Sequence, residues 1–180
     1  MKGKTYIVLL RGVTPGGKNK VPMARLREVL AAAGFENVRS YIQSGNVLVE
    51  SQLPPKEVEK IVHDLIKKHI GPDLSVVVRT GAQVAKMLEE NPFKKGFNIS
   101  RVFFVSFAVA PPEEKVKDLL AQDFSPEVLA VTRNAAYMYI PGAYGRGTLS
   151  NNYLEKKLGV PATMRNFNTL NKLVELGGTS

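Results

Sequence analysis

One order of elements occurs twice in this chain, and it restricts the fold more than any single motif. "KTYIVLLR" is an apolar run of strand length. "VPMARLREVLAAAGF" follows, with Pro22 at a helix start, Gly34 at its stop and Met23, Leu26, Val29 and Leu30 as its stripe. "NVRSYIQ" and "NVLVES" are two strands about the tight turn Ser44-Gly45. "PPKEVEKIVHDLIKKHIG" is an amphipathic helix, and "LSVVVRT" is a strand. The sequence then returns to the start of the same series. "RVFFVSF", "PPEEKVKDLLAQ", "EVLAVTR", "AYMYI", "LSNNYLEKKLG" and "ATMRN" give β-α-β-β-α-β a second time, and "TLNKLVELGG" adds a terminal helix.

The expected fold class is therefore α+β: two tandem ferredoxin-like βαββαβ units with a linker helix and a C-terminal helix. The expected division is residues 1–80 for the first unit, 81–98 for a linker helix and loop, and 99–180 for the second unit with the terminal helix. Right-handed crossovers put both helices of a unit on one face of its sheet. In the first unit, "RGVTPGGKNK" and "QSGN" then meet at one sheet end. In the second, "PGAYGRGTLSNN" meets "RNFN".

Charge is distributed unevenly along this order. The net charge is +9, yet residues 1–27 hold seven basic side chains and no acid. Residues 28–132 hold twelve basic and fourteen acidic groups, and residues 133–180 hold six and two. A positive excess at both chain ends favours a phosphate-bearing or acidic partner. With no cysteine in the chain, a disulfide scaffold, a thiolate metal site and a cysteine nucleophile are excluded. No apolar run approaches the roughly 20 residues of a membrane span, so a cytoplasmic protein without membrane partners is expected.

The glycine-rich segment after the first strand tests for nucleotide chemistry. Gly12-x-x-x-x-Gly17-Lys18 matches a P-loop, but Asn19 stands where a metal-ligating Ser or Thr is needed. Pro22 starts the helix about four residues past the lysine, too late for its N–H groups to face phosphates. What survives is an anion nest: glycines that expose backbone N–H groups, beside Arg11, Lys18 and Lys20. Other chemistry is sparse. His63 and His69 stand six apart, whereas a metal pair on one helix face stands three or four apart. Glu89-Glu90 and Glu113-Glu114 are adjacent and point apart, and Ser44 and Ser150 lack an identifiable base. Tyr137 and Tyr139 share one face of a central strand, where base stacking is conceivable and packing is the favoured reading.

Five blocks, "LLRGVTPGGKNKVPM", "YIQSGNVLVES", "NPF", "YIPGAYGRGTLSN" and "TMRNFNTLNKL", resemble in order and spacing the bacterial family of domain of unknown function 1697 (DUF1697). The resemblance runs from about Thr5 to Leu176. It implies duplicated ferredoxin-like units and supplies no activity. Where the family usually has Arg-Asn-Trp-Asn-Thr this chain has Phe167, and where a lysine follows the serine before the fifth helix it has Asn151.

The polar loop positions of these blocks are the candidate binding residues: Arg11, Lys18, Asn19, Lys20, Gln43, Ser44 and Asn46, then Tyr144, Arg146, Ser150, Asn151, Arg165, Asn166 and Asn168. Ser150 and Asn168 also read as helix caps. No catalytic residue, metal or cofactor is nominated. The expected function is non-catalytic binding of a phosphate-bearing ligand, with nucleic acid first. The alternatives are an enzyme acting on a small anionic metabolite and a protein-interaction module.

Overall fold

A computed structural model of the chain describes residues 2–14 and 16–179. Its element order is β1 (Lys4–Leu10), α1 (Met23–Ala32), β2 (Glu36–Tyr41), β3 (Asn46–Ser51), α2 (Pro55–His69), β4 (Val76–Thr80), α3 (Gly81–Glu89), β5 (Val102–Phe107), α4 (Glu113–Leu120), β6 (Val128–Val131), β7 (Ala135–Tyr139), α5 (Asn151–Leu158), β8 (Ala162–Asn166) and α6 (Phe167–Gly177). The fold is a mixed α+β one. Among the described residues it has six α-helices and two four-stranded sheets, ordered β2-β3-β1-β4 and β6-β7-β5-β8, with antiparallel neighbours throughout. No helix among them is long and apolar enough to cross a membrane.

The chain divides into two compact units, Met1–Ala85 with Asn171–Ser180, and Lys86–Leu170. In the first, period-two alternation sends Tyr6, Val8 and Leu10 of β1, Val47 and Val49 of β3, and Val76 and Val78 of β4 into one core. Leu26 and Leu30 of α1 and Val58, Val62 and Ile66 of α2 close it at helical spacing. Ile7, Leu9, Leu48 and Val77, on the opposite face, are also fully or almost fully buried. The end of α6 covers part of that face. A Cβ on Gly177 would stand 3.2 Å from Leu48, and Arg39 donates to the Leu176 carbonyl at 3.1 Å. The sequence reading keeps residues 99–180 together, but the packing groups Asn171–Ser180 with the first unit. The reason is that both faces of the first sheet are apolar, so the face without helices needs a cover.

The second unit repeats the plan. Val105 and Phe107 of β5, Ala136 and Met138 of β7, and Ala162 of β8 pack with Leu119 of α4 and Leu154 and Leu158 of α5. On the opposite face, the fully buried Tyr137 donates its hydroxyl to the Met87 carbonyl of α3 at 2.8 Å. Burial, with Glu90 nearby, pushes this phenol up to about 12, so it remains a neutral donor. Residues 91–98 are built into this unit rather than serving as a spacer. Asn91 is buried and exchanges hydrogen bonds with the Phe93 backbone, and Phe93 and Phe97 pack on Tyr139 with ring centroids 6.2 and 4.8 Å away.

Helix ends follow local rules. Thr80 and Gln83 form a reciprocal capping box at α3. The Ser150 hydroxyl accepts the Tyr153 amide at α5, which Gly159 stops in the left-handed conformation.

In the middle of α2, His63 lies between two carboxylates, with Nδ1 3.0 Å from Asp64 and Nε2 2.7 Å from Asp73. Hydrogen bonds to Asp64 and then Asp73 raise its pKa above the ordinary 6.5. The imidazolium form is therefore favoured in the folded state. Its stabilising contribution is complete below about pH 6.5 and is lost as pH rises through the raised value. An NMR titration of His63 should show the raised midpoint, and Asp64→Asn should move it down; a midpoint unmoved by Asp64→Asn would contradict this account.

Candidate functional site

The first cluster is placed by the way β1 leaves its sheet. The Leu10 amide donates to the Gly45 carbonyl and the Arg11 amide to the Ser75 carbonyl, each at 2.9 Å. The β1 exit, the β2–β3 turn and the β4 entry thus share one sheet end, where "RGVTPGGKNK" and "QSGN" meet. The turn spans residues 42–45 rather than Ser44-Gly45 alone, with Ile42 (φ 51) and Gly45 (φ 83) both left-handed. Gly45 is obligatory on two grounds. Its φ disfavours a side chain, and a Cβ would stand 2.9 Å from the Leu10 Cβ and 3.1 Å from Val13.

Asn46 is fully buried, so it holds the turn instead of facing solvent. Its amide donates to the Tyr41 carbonyl at 3.2 Å and the Ser44 hydroxyl at 3.1 Å. Lys18, Lys20 and Gln43 are exposed, while Arg11, Asn19 and Ser44 are half-buried. The Gly17 amide donates to the Thr14 carbonyl at 3.1 Å, and Asn19 lies beside Gly12, so the connector folds back on itself. Pro15, within the quoted P-loop match, lies outside the described residues.

The second cluster forms at the opposite end of its own sheet, where β5 enters. Val102 pairs with Tyr139 and Phe103 with Asn166, so the β7 and β8 exits lie together. The Phe103 and Tyr144 rings stand 5.2 Å apart there. Much of this cluster serves the scaffold. Asn151 is buried, and its amide donates to the Ala162 carbonyl at 2.9 Å and to Glu155 at 3.2 Å. The Tyr144 hydroxyl accepts the Asn151 amide at 3.0 Å. Asn166, rather than Asn168, caps α6 by accepting the Thr169 amide, because the helix starts at Phe167. Arg165 donates to the Thr163 hydroxyl at 2.7 Å and to the Met164 carbonyl at 2.8 Å. Arg146 and Asn168 are exposed. Tyr137 is sealed and Tyr139 lies against two phenylalanines, so neither offers an open platform for a base.

A protein-family model described as "Protein of unknown function (DUF1697)" matches residues 3–137. The chain belongs to the DUF1697 family. The conserved bacterial protein SP0830 from Streptococcus pneumoniae has a similar solved structure, with 26% identity, a TM-score of 0.70, and coverage of 96% of this chain and 97% of that one. No curated protein matches the chain.

In this DUF1697 chain the two units provide an internal comparison. The exit of β5 repeats that of β1: the Phe107 amide donates to the Asn134 carbonyl and the Ala108 amide to the Pro161 carbonyl. From there, residues 108–112 suffice to reach α4, whereas residues 11–22 connect β1 to α1. The reverse holds later, where residues 52–54 join β3 to α2 but 140–150 join β7 to α5. Each unit therefore carries one enlarged connector, and most of the candidate positions lie on or beside these two.

Sequence reasoning missed Glu127. It is 8% exposed, and its Oε1 accepts the Thr148 and Leu149 amides at 2.8 and 3.1 Å, anchoring the β7–α5 connector. The glutamate before "VLAV" reads as an ordinary surface residue because its partners lie 21 and 22 residues away.

Gly45→Ala should destabilise the chain by about 1–3 kcal/mol in chemical denaturation. Gln43→Ala, two residues away and exposed, should change stability by less than about 0.5 kcal/mol. Equal effects would show that the turn is not locked as described.

Proposed function

We propose that this DUF1697 chain binds a phosphate-bearing ligand without transforming it, and that nucleic acid is the ligand class. One observation carries the reading: the β1–α1 connector is more than twice as long as its β5–α4 counterpart, although both begin at the same pair of backbone hydrogen bonds. The topology does not need the extra length. Connections in compact domains tend to be short, and longer ones are commonly functional.

The charge follows the length. Arg11, Lys18 and Lys20 lie on the long connector with no acid among them, while the short one runs into Glu113 and Glu114. Exposed lysines without a carboxylate in their own segment suit phosphate oxygens. Gln43 and Ser44, on the adjoining turn, supply polar groups beside them. We also read each unit as a ferredoxin-like βαββαβ module. The 2-3-1-4 strand order supports this reading and leaves the connector at a sheet end, where Val13 and Val21 anchor it to the core and Lys18 and Lys20 stay exposed.

The test is fluorescence anisotropy with labelled single-stranded DNA, duplex DNA and RNA, titrated between low and moderate salt. Binding should weaken steeply with salt. Lys18→Ala with Lys20→Ala should weaken it and lower the log–log salt slope by about 1.4–1.8, since each neutralised phosphate contributes about 0.7–0.9. No binding of any of these at low salt would overturn the proposal, as would a double variant that binds as tightly as the parent.

A further inference from the structure

The β7–α5 connector of the second unit walls an open cavity of about 310 Å³. Its lining combines apolar Phe124, Pro126 and Ile140 with charged Asp123, Glu127 and Arg146. The Glu127 carboxylate is only half satisfied. Its Oε1 holds the two connector amides, whereas its Oε2 is buried and has no hydrogen-bond partner among the described residues. A buried carboxylate oxygen without a donor is strongly unfavourable. Gly147 presses its backbone directly on this carboxylate, where any Cβ would collide with both oxygens. Asp123 is already engaged, its Oδ1 accepting the Ser125 amide at 2.9 Å and hydroxyl at 2.6 Å.

We propose that this cavity binds a small zwitterion, whose ammonium group donates to Glu127 Oε2 and whose anionic end meets Arg146. An ammonium supplies both things Oε2 lacks, a donor and an opposite charge. Arg146, on the same cavity wall, gives the other end its partner. The apolar wall between them favours an apolar body, as in a free amino acid with a hydrophobic side chain. The volume lies at the small end of the range for ligand pockets, which suits a molecule of this size and not a polymer. Entry of the ammonium requires the Gly145–Gly147 backbone to move off the carboxylate, a shift that glycines allow. This inference does not rest on the phosphate reading, which concerns a different connector in the other unit.

Isothermal titration calorimetry and saturation-transfer NMR with free leucine, phenylalanine and methionine test it, with acetate and butylamine as single-charge controls. At least one amino acid should bind with a Kd of about a millimolar or tighter, and both controls about tenfold more weakly. Glu127→Gln should weaken that binding about tenfold or more while the circular dichroism spectrum and Tm stay close to the parent's, because a glutamine oxygen can still accept the Thr148 and Leu149 amides. Arg146→Ala should weaken it as well. The proposal is overturned if none of the three amino acids binds at about 10 mM, or if Glu127→Gln binds as well as the parent. Should Glu127→Gln fail to fold, Arg146→Ala decides: unchanged affinity overturns the proposal.

Discussion

Each sheet depends on its first strand being hydrogen-bonded on both sides up to the residue where it leaves. In the first unit the last two bonds run from Leu10 to Gly45 and from Arg11 to Ser75. In the second they run from Phe107 to Asn134 and from Ala108 to Pro161. A strand held on both flanks cannot slide without turning its core side chains to the wrong face. These bonds therefore fix both the register and the point where each connector begins. Gly45 shows how closely the neighbouring turn must approach, since its Cα sits where no side chain fits against Leu10 and Val13.

Much of this was legible in the residues. Alternating valines and helical stripes mark the strands and the helices packed on them, because those periods are imposed by burial on one face. The coming together of "RGVTPGGKNK" and "QSGN" was also legible, since topology alone requires it. Features set by contacts distant in sequence were not. Gly177 packs on Leu48 and Ile7, and nothing near "VELGG" announces that partner. The start of α6 at Phe167 depends on Asn166 taking the cap that Asn168 was expected to supply. The turn at 42–45 needs a left-handed isoleucine, which propensity argues against.

The candidate site was legible as a list of polar loop positions but not as roles. Ser150, Asn151, Asn166 and Asn46 look alike in sequence to Lys18, Lys20 and Gln43: polar, at loops, in motif blocks. The structure separates them by what they touch. The first four cap helices, brace a strand or hold a turn, and the last three face solvent. Glu127 lay outside every block because its importance comes from two amides on a distant loop. The matching strand orders of the two sheets allow one unit to be compared with the other. The same sheet exit leads in one unit to a short connector without charge, residues 108–112, and in the other to a long basic one, residues 11–22.

The most direct measurement is made on a variant lacking residues 14–20, which joins Val13 to Val21 and leaves a β1–α1 connector of the same length as residues 108–112. Val13 and Val21 are both buried, so the core contacts of the connector are retained. Its equilibrium stability and its affinity for a labelled oligonucleotide are to be measured together. The account predicts a folded chain within about 1–2 kcal/mol of the parent's stability and loss of oligonucleotide binding. A variant that binds undiminished, or one that cannot fold, would contradict it: the first because the basic connector would then not be the binding element, the second because its length would then belong to the fold.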